Sequence, residues 1–417
     1  MEVPASKIVE LSIPVFFLLI GIELIFNRAL KKDYYRMNDA LSSLSNGIGS
    51  EIVGIFMKTI LFMAYIHIFD NWKFIDMGTE WWSWAILFMG VDFFYYWFHR
   101  KSHEVNVMWA AHIVHHSSEE YNLTTALRQA WFQNSFSWVF YLPLALMGFS
   151  PAMFVTIKAI NLVYQFWIHT KLIDKMGFLE LFMNTPSHHR VHHGKNPKYL
   201  DKNYAAVFII WDRMFGTFQK EEEEPVYGIT NTLTSWNPVW SNFHYWGELF
   251  TLAAKCSKSS DKIKVFIKSP GWAPEELGGF HHASEVDKEN YEKFDIEVGG
   301  SVGTYSFVQF VPTLIIAALF LFMSPLMSTV EKYSLAVVVV FSIMNCGLLF
   351  EKRKIAYVLE FIRFGAVFGL LWLFQHLPYH TIISVLTGVF VTFSAVWLYT
   401  QRKHFGSAVS KGKPVST

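Results

Sequence analysis

Nine of the chain's 17 histidines fall in two short windows, and imidazole at such spacings is metal-binding chemistry. The first window, FHRKSHEVNVMWAAHIVHHSS, carries His99 and His103 four residues apart, then His112, His115 and His116. The second, SHHRVHHG, carries His188, His189, His192 and His193. Residues four apart share a helix face, so His99/His103, His112/His116 and His189/His193 each present two rings to a common point, with His115 and His192 as partners three residues away. Imidazole suits iron, zinc, copper or nickel. Eight or more such rings exceed what one ion binds, so two metals are implied, and burying so many titratable rings without metal would incur the desolvation cost repeatedly. His169, in QFWIHT, ends an apolar run at the same membrane face and is a further candidate ligand. His188 directly precedes the third box and is either a ligand or a hydrogen-bond donor behind the ligands. The pattern is not that of a zinc protease, because Val107 stands where H-E-x-x-H requires histidine. His67, His244, His281, His282, His376, His380 and His404 lack ligand spacing and read as structural or solvent-facing.

These boxes need elements to hold them, and the composition says where those elements lie. The 417 residues are 52% hydrophobic, 18% aromatic and 17% charged, and soluble domains carry about 25% charge. Much of the chain therefore faces lipid. Basic and acidic residues number 35 and 34, so no global positive field exists and nucleic acid is not a partner. Cys256 and Cys346 are too few for a disulfide framework or thiolate ligation. Metal chemistry must then use nitrogen or oxygen donors.

A bilayer span needs about 20 apolar residues. Runs of that kind occur near 8–26, 48–69 and 81–98, then near 305–327, 333–350, 355–375 and 380–399. The first follows MEVPASKIVE, has no cleavage site after it, and reads as a retained span. Two shorter runs, 132–149 and 151–168, break at Ser150-Pro151 and read as a hairpin. The stretch from about 170 to 300 is polar and holds Glu221–Glu224 and the charged run 287–297. Basic residues at Arg28, Lys31, Lys32, Arg100, Lys101, Lys352–Lys354 and Arg402-Lys403 place that stretch in the cytoplasm by the positive-inside rule. The expected fold is all-α: a multi-spanning membrane protein with a cytosolic-facing, helical, histidine-rich di-metal catalytic core. Its expected parts are N-terminal spans (1–80), a catalytic region (81–275), a polar linker (276–304) and C-terminal spans (305–417).

The three boxes His99-x3-His103, His112-x2-His115-His116 and His189-x2-His192-His193 resemble the fatty acid hydroxylase and sterol desaturase superfamily of integral membrane di-iron enzymes. The resemblance extends to Trp211-Asp212-Arg213-Met214-Phe215-Gly216-Thr217 after the last box. HEVNVMWAAHIVHHSSEEYNLTTALRQ, YQFWIHT, NTPSHHRVHHG and DKNYAAVFIIWDRMFGTF are similar to its ether-lipid-cleaving monooxygenases, over about residues 80–275. The resemblance implies two irons, molecular oxygen, and tetrahydrobiopterin as reductant, acting on a membrane ether lipid to release a fatty aldehyde. No pterin-binding fingerprint is readable. By the same resemblance Glu104 matches a glutamate needed for activity; the bland alternative is a solvated carboxylate. Iron rather than zinc follows from the family's redox chemistry, since imidazole suits both.

Three other readings compete. A sterol or fatty acyl hydroxylase or desaturase shares the boxes. A metal transporter would line its path with histidines at mid-span depth, whereas these boxes lie at span ends and in the polar region. A catalytically dead scaffold would be expected to lack motif histidines, and none is missing. The membrane is the endoplasmic reticulum if the source is eukaryotic and the inner membrane if bacterial; oligomeric state is not legible. Because imidazole binds metal only when unprotonated, activity is expected to fall below about pH 6.5.

Overall fold

The structure, a computed structural model, describes residues 5–286, 288, 291–296, 300–406 and 410–411. Met1–Pro4 of the N-terminal reading, and Asp287, Glu289, Asn290 and Glu297 of the acidic run, lie outside the described residues. The chain opens with α1 (Ala5–Ala29), α2 (Met37–Trp72) and α3 (Trp81–Glu104). On α1, Leu11, Val15, Leu18, Ile22 and Ile25 are exposed at helical spacing, which makes a lipid-facing stripe. Three short helices follow, α4 (Asn106–Ala110), α5 (Ile113–His116) and α6 (Leu123–Ala126), then a hairpin of α7 (Asn134–Leu146) and α8 (Pro151–Trp167). Pro151 at the first position of α8 and the Ser150 hydroxyl capping Met153 N fix that helix start.

Beyond the hairpin lie α9 (Pro186–His192), α10 (Ile210–Met214), α11 (Pro238–Lys255) and α12 (Ser259–Ile267). The chain closes with α13 (Gly300–Met323), α14 (Thr329–Phe350), α15 (Lys354–Leu373) and α16 (His380–Gln401). Among the described residues the strand content is one pairing, Asp295–Ile296 against Ser410–Lys411.

Among the described residues five segments are long and apolar enough to cross a bilayer: Leu11–Ala29, Gly300–Leu326, Thr329–Phe350, Lys354–Leu373 and His380–His404. A sixth is α2 if its halves, bent by 42°, form one span. The run at 81–98 differs from its expectation. It forms α3, whose Trp and Tyr content and Asp92 keep it outside that set, and Leu87, Val91, Asp92 and Tyr96 point inward with no exposure. The hairpin helices are 13 and 17 residues long, about 20 and 26 Å, short of the ~30 Å hydrocarbon core.

Helix α3 packs against both arms of the hairpin, and Leu87, Val91, Tyr141, Leu144, Phe149 and Phe154 form one buried cluster there. Each such side chain contributes roughly 1.5–3 kcal/mol on burial. The result is a rigid mount whose α3 and α8 both end at the histidine boxes. The C-terminal bundle has a polar knot that no motif announced: Arg363 pairs with Glu360 at 2.5 Å, and Tyr305, Asn345 and Gln309 complete it. Within a bilayer such groups act as interhelical glue. The buried carboxylate of Glu351 ties this bundle to the rest, accepting from Ser235 Oγ and Trp236 N just before α11.

Candidate metal centre

The last two turns of α3 carry His99 and His103 on its inner face. His112 stands at the entrance of α5, and His115 and His116 are its last residues. His169 follows α8 directly, its ring tied back by Nδ1 donating to Gln165 O at 2.7 Å. In α9, Pro186 starts a helix too short to do more than set His189 and His192 on adjoining turns, with His193 as its cap.

Two sets of rings result. His99, His103, His112, His116 and His192 form one, and His115, His169, His189 and His193 the other; within each, one nitrogen per ring lies within 4.8 Å of all the others. The sets adjoin, since His193 packs on His116 at 4.5 Å and His189 on His192 at 5.1 Å between ring centroids. All nine are buried. None lies in a candidate span.

The hydrogen bonds fix which nitrogen carries the proton. Nδ1 of His99 donates to Tyr204 O (2.7 Å), His115 to Arg128 O (2.9 Å), His192 to Lys202 O (2.9 Å), and His112 to the Gln133 side chain (3.0 Å). A carbonyl only accepts, so each Nδ1 is the protonated nitrogen and each Nε2 is a bare lone pair. These lone pairs face one another: His99 and His112 Nε2 are 3.0 Å apart, and His115 and His169 Nε2 are 3.4 Å apart. The Nε2 atoms of His103, His192 and His193 are buried with no hydrogen-bond partner. Converging lone pairs without protons repel, and a cation between them removes the conflict. The donor set therefore fits a metal centre, with outer carbonyls holding each ring as they do behind metal-bound histidines.

Burial drives the imidazole pKa values well below 6.5 at His99, His112, His116, His169, His189, His192 and His193, with neighbouring rings adding to the effect, and pushes His115 down to about 4. These eight rings are thus neutral and ready to ligate at physiological pH.

His188, read from the sequence as a ligand or a hydrogen-bond donor behind the ligands, lies outside both ring sets. One position before His189, it is rotated about 100° around α9, and its ring meets Phe218 at 5.3 Å rather than either set. Burial lowers its pKa to about 4. Glu104 ends α3 with its carboxylate on Arg100 (2.7 Å) and Lys101 (2.6 Å). Burial works to raise its pKa, and the hydrogen bonds from Lys101 and Arg100 outweigh it, holding Glu104 below the usual carboxylate range.

Several supporting residues escaped the motif reading. Gln133 and Tyr204 hold rings, and Trp109 packs on His103 (4.9 Å) and His116 (5.5 Å). Arg128, fully buried, donates to Val114 O and Ser117 Oγ, bracing the second box. Asp92 was readable, because a lone carboxylate inside an apolar run is costly and marks a task. The Trp211–Thr217 segment finds its reason here: Asp212 accepts from Thr217 Oγ1 (2.7 Å) around a turn that Gly216 makes at φ +74.

Fold and site together define a multi-pass helical membrane protein with a polyhistidine cluster, fit for a metal centre, at the ends of its helices. A family model described as "Fatty acid hydroxylase" matches residues 84–217. Proteins named "Alkylglycerol monooxygenase" are similar over most of the chain. The Xenopus tropicalis protein is 39% identical over 93% of this chain and 88% of its own. The Homo sapiens protein is 40% identical over 90% and 84%, and the Danio rerio protein 41% over 87% and 81%. No solved structure matches the chain. The chain belongs to the alkylglycerol monooxygenases of the fatty acid hydroxylase family.

Proposed function

We propose that this chain is an ether-lipid monooxygenase that hydroxylates the ether-bearing carbon of alkylglycerols, the substrate in the names of its relatives, or of lyso-ether lipids. The reading rests on one observation: the bare Nε2 atoms of His115 and His169 face each other at 3.4 Å with both Nδ1 protons committed to main-chain carbonyls. His99, His103, His112, His116 and His192 would hold one ion, and His115, His169, His189 and His193 the other. Bound there, a pair of iron ions supplies oxygen activation, with tetrahydrobiopterin as electron source.

The protein's own part is to hold and to exclude. Carbonyls of Arg128, Gln165, Lys202 and Tyr204 fix ring tautomer and direction, so no reorganisation is needed at the moment of reaction. Burial of all nine rings keeps water from competing with the alkyl chain. Glu104, the residue after His103 at the end of α3, is the proposed catalytic residue. One oxygen atom enters the C–H bond and the other leaves as water, taking two electrons and two protons from the reductant. The product hemiacetal then breaks its C–O bond to give a fatty aldehyde and a free glycerol hydroxyl. The membrane is the endoplasmic reticulum in a eukaryotic cell and the inner membrane in a bacterial one.

The test is an aerobic assay of iron-loaded protein with a 1-O-alkylglycerol and, separately, a free sterol, each with and without tetrahydrobiopterin. Aldehyde formed from the alkylglycerol in the presence of the pterin is the expected result. Oxidised sterol without aldehyde would overturn the assignment.

A further inference from the structure

Two short elements outside the spans expose large apolar side chains. The 3-10 turn Gly177–Leu181 and the residue after it expose Phe178 (71%), Leu181 (64%) and Phe182 (40%), while α10 and its cap expose Met214 (67%) and Phe215 (36%). They form one patch, because the Arg213 guanidinium donates to Glu180 O at 2.9 Å and bridges the two elements. A contiguous apolar patch on a folded surface marks a contact with something apolar.

Its surroundings say what that is. The outer face of α3 exposes Trp82, Ile86 and Met89 at helical spacing, and the same stripe continues to Phe93 and Trp97. Phe215 lies against both, with ring centroids 6.3 Å from Phe93 and 5.0 Å from Trp97. The patch is therefore the continuation of an apolar helix face. At its inner margin the Arg100 guanidinium lies over the Trp97 ring at 5.5 Å, an aromatic and basic pairing that suits the headgroup level.

The level of the bilayer surface is set independently by α1. Near the end of this span Glu23 accepts from Leu123 N (2.8 Å) and Thr170 Oγ1 (2.5 Å), the latter beside His169. The histidine centre is thus tied to the last third of the span, about 9 Å before its final residue. The patch is tied to that height as well, since Tyr164, near the end of α8, donates to Asn184 O two residues beyond Phe182. Arg213, exposed where it bridges the two elements, is basic at the patch and complements lipid phosphates.

We infer that the Phe178–Phe182 and Met214–Phe215 patch is a foot sunk in the interfacial layer of the leaflet where α1 ends. Apolar side chains dip below the headgroups there, with basic residues at phosphate level, as interfacial elements do. The elements that carry the foot also hold the centre: Glu180 accepts from Ser187 Oγ (2.7 Å) at the start of α9, and Asp212 of α10 positions the Tyr204 loop. The foot therefore lays the histidine centre against the lipid from which an apolar chain enters.

The test uses the full chain in phosphatidylcholine nanodiscs. Spin labels at Phe178→Cys and Met214→Cys are compared with Ile25→Cys on the lipid face of α1 and Glu222→Cys in the polar region; Cys256 and Cys346 are buried. Collision with lipid-soluble oxygen should dominate over collision with an aqueous nickel chelate at 178, 214 and 25, and the reverse should hold at 222. Water-like behaviour at 178 and 214 overturns the proposal, as does shielding that appears only on raising protein concentration, which assigns the patch to a second copy. A bilayer-borne photoactivatable phospholipid applied to the unsubstituted chain gives the second readout: adducts within 177–182 and 211–216 are expected, and adducts on α1 without them overturn it.

Discussion

Asp92 and Asp212 grip the two ends of one loop: Asp212 accepts from Tyr204 N (2.8 Å) and Ala205 N (2.9 Å), and Asp92 accepts from Val207 N (2.9 Å) and Phe208 N (3.0 Å). Asp92 also takes Trp211 Nε1 and Asn161 Nδ2, so one buried carboxylate joins α3, α8 and α10. The loop between them supplies the Tyr204 carbonyl that orients His99. Asp92→Asn turns an amide N–H toward donors and should cost about 3 kcal/mol, the scale for breaking a buried charge-assisted network. Thermal unfolding in detergent checks it; an unchanged midpoint would contradict the clamp.

The two ring sets separate in their metal content. His103→Ala and His169→Ala each remove a ligand from a different set, and each should lower bound metal by roughly half while abolishing turnover. His188→Ala, outside both sets, should keep full metal. Elemental analysis of the three variants decides; loss of metal from His188→Ala would return that ring to the site.

Gln133 touches metal chemistry only through His112. Gln133→Leu should weaken metal retention roughly 10- to 100-fold, the usual effect of losing an outer partner. Chelator titration measures this directly. Retention equal to the parent chain would mean that the His112 tautomer is set by something else.

Glu104→Gln keeps the shape of the side chain and removes its charge. If Glu104 moves protons, turnover should drop about 100-fold with metal content intact. A loss of less than threefold would leave it as a partner of Arg100 and Lys101 alone.

Metal-free protein should lose stability as pH falls. The unfolded rings take up protons near pH 6.5, whereas burial keeps the folded rings neutral to well below that, to about 4 at His115. Between those limits the unfolded chain binds more protons, so stability declines from pH 6.5 downward. Melting temperature across pH 7.5 to 5 reads the slope, and a flat or rising profile would contradict it. For loaded protein the same shifts move the acid loss of activity below the 6.5 expected of free imidazole.

Histidine spacing alone determined that two metals were implied and which windows supply them, because a period of three or four residues is a local property of a helix. Hydropathy likewise marked the α1 and α13–α16 spans, since a bilayer crossing requires about 20 apolar residues in sequence. Three matters belonged to the tertiary structure. Where His169 and His188 lie is one: the bend after α8 brings His169 beside His115 and His189, while His188, one step round α9 from His189, lies against Phe218. Which face of α3 is buried was not legible, because the partners that cover it, α7 and α8, are distant in sequence. The sharing of rings between the two sets, His116 and His192 in one and His115 and His193 in the other, interleaves neighbours from the same boxes. Sequence order cannot express that, because adjacent residues on a helix point about 100° apart and each ring joins whichever centre it faces.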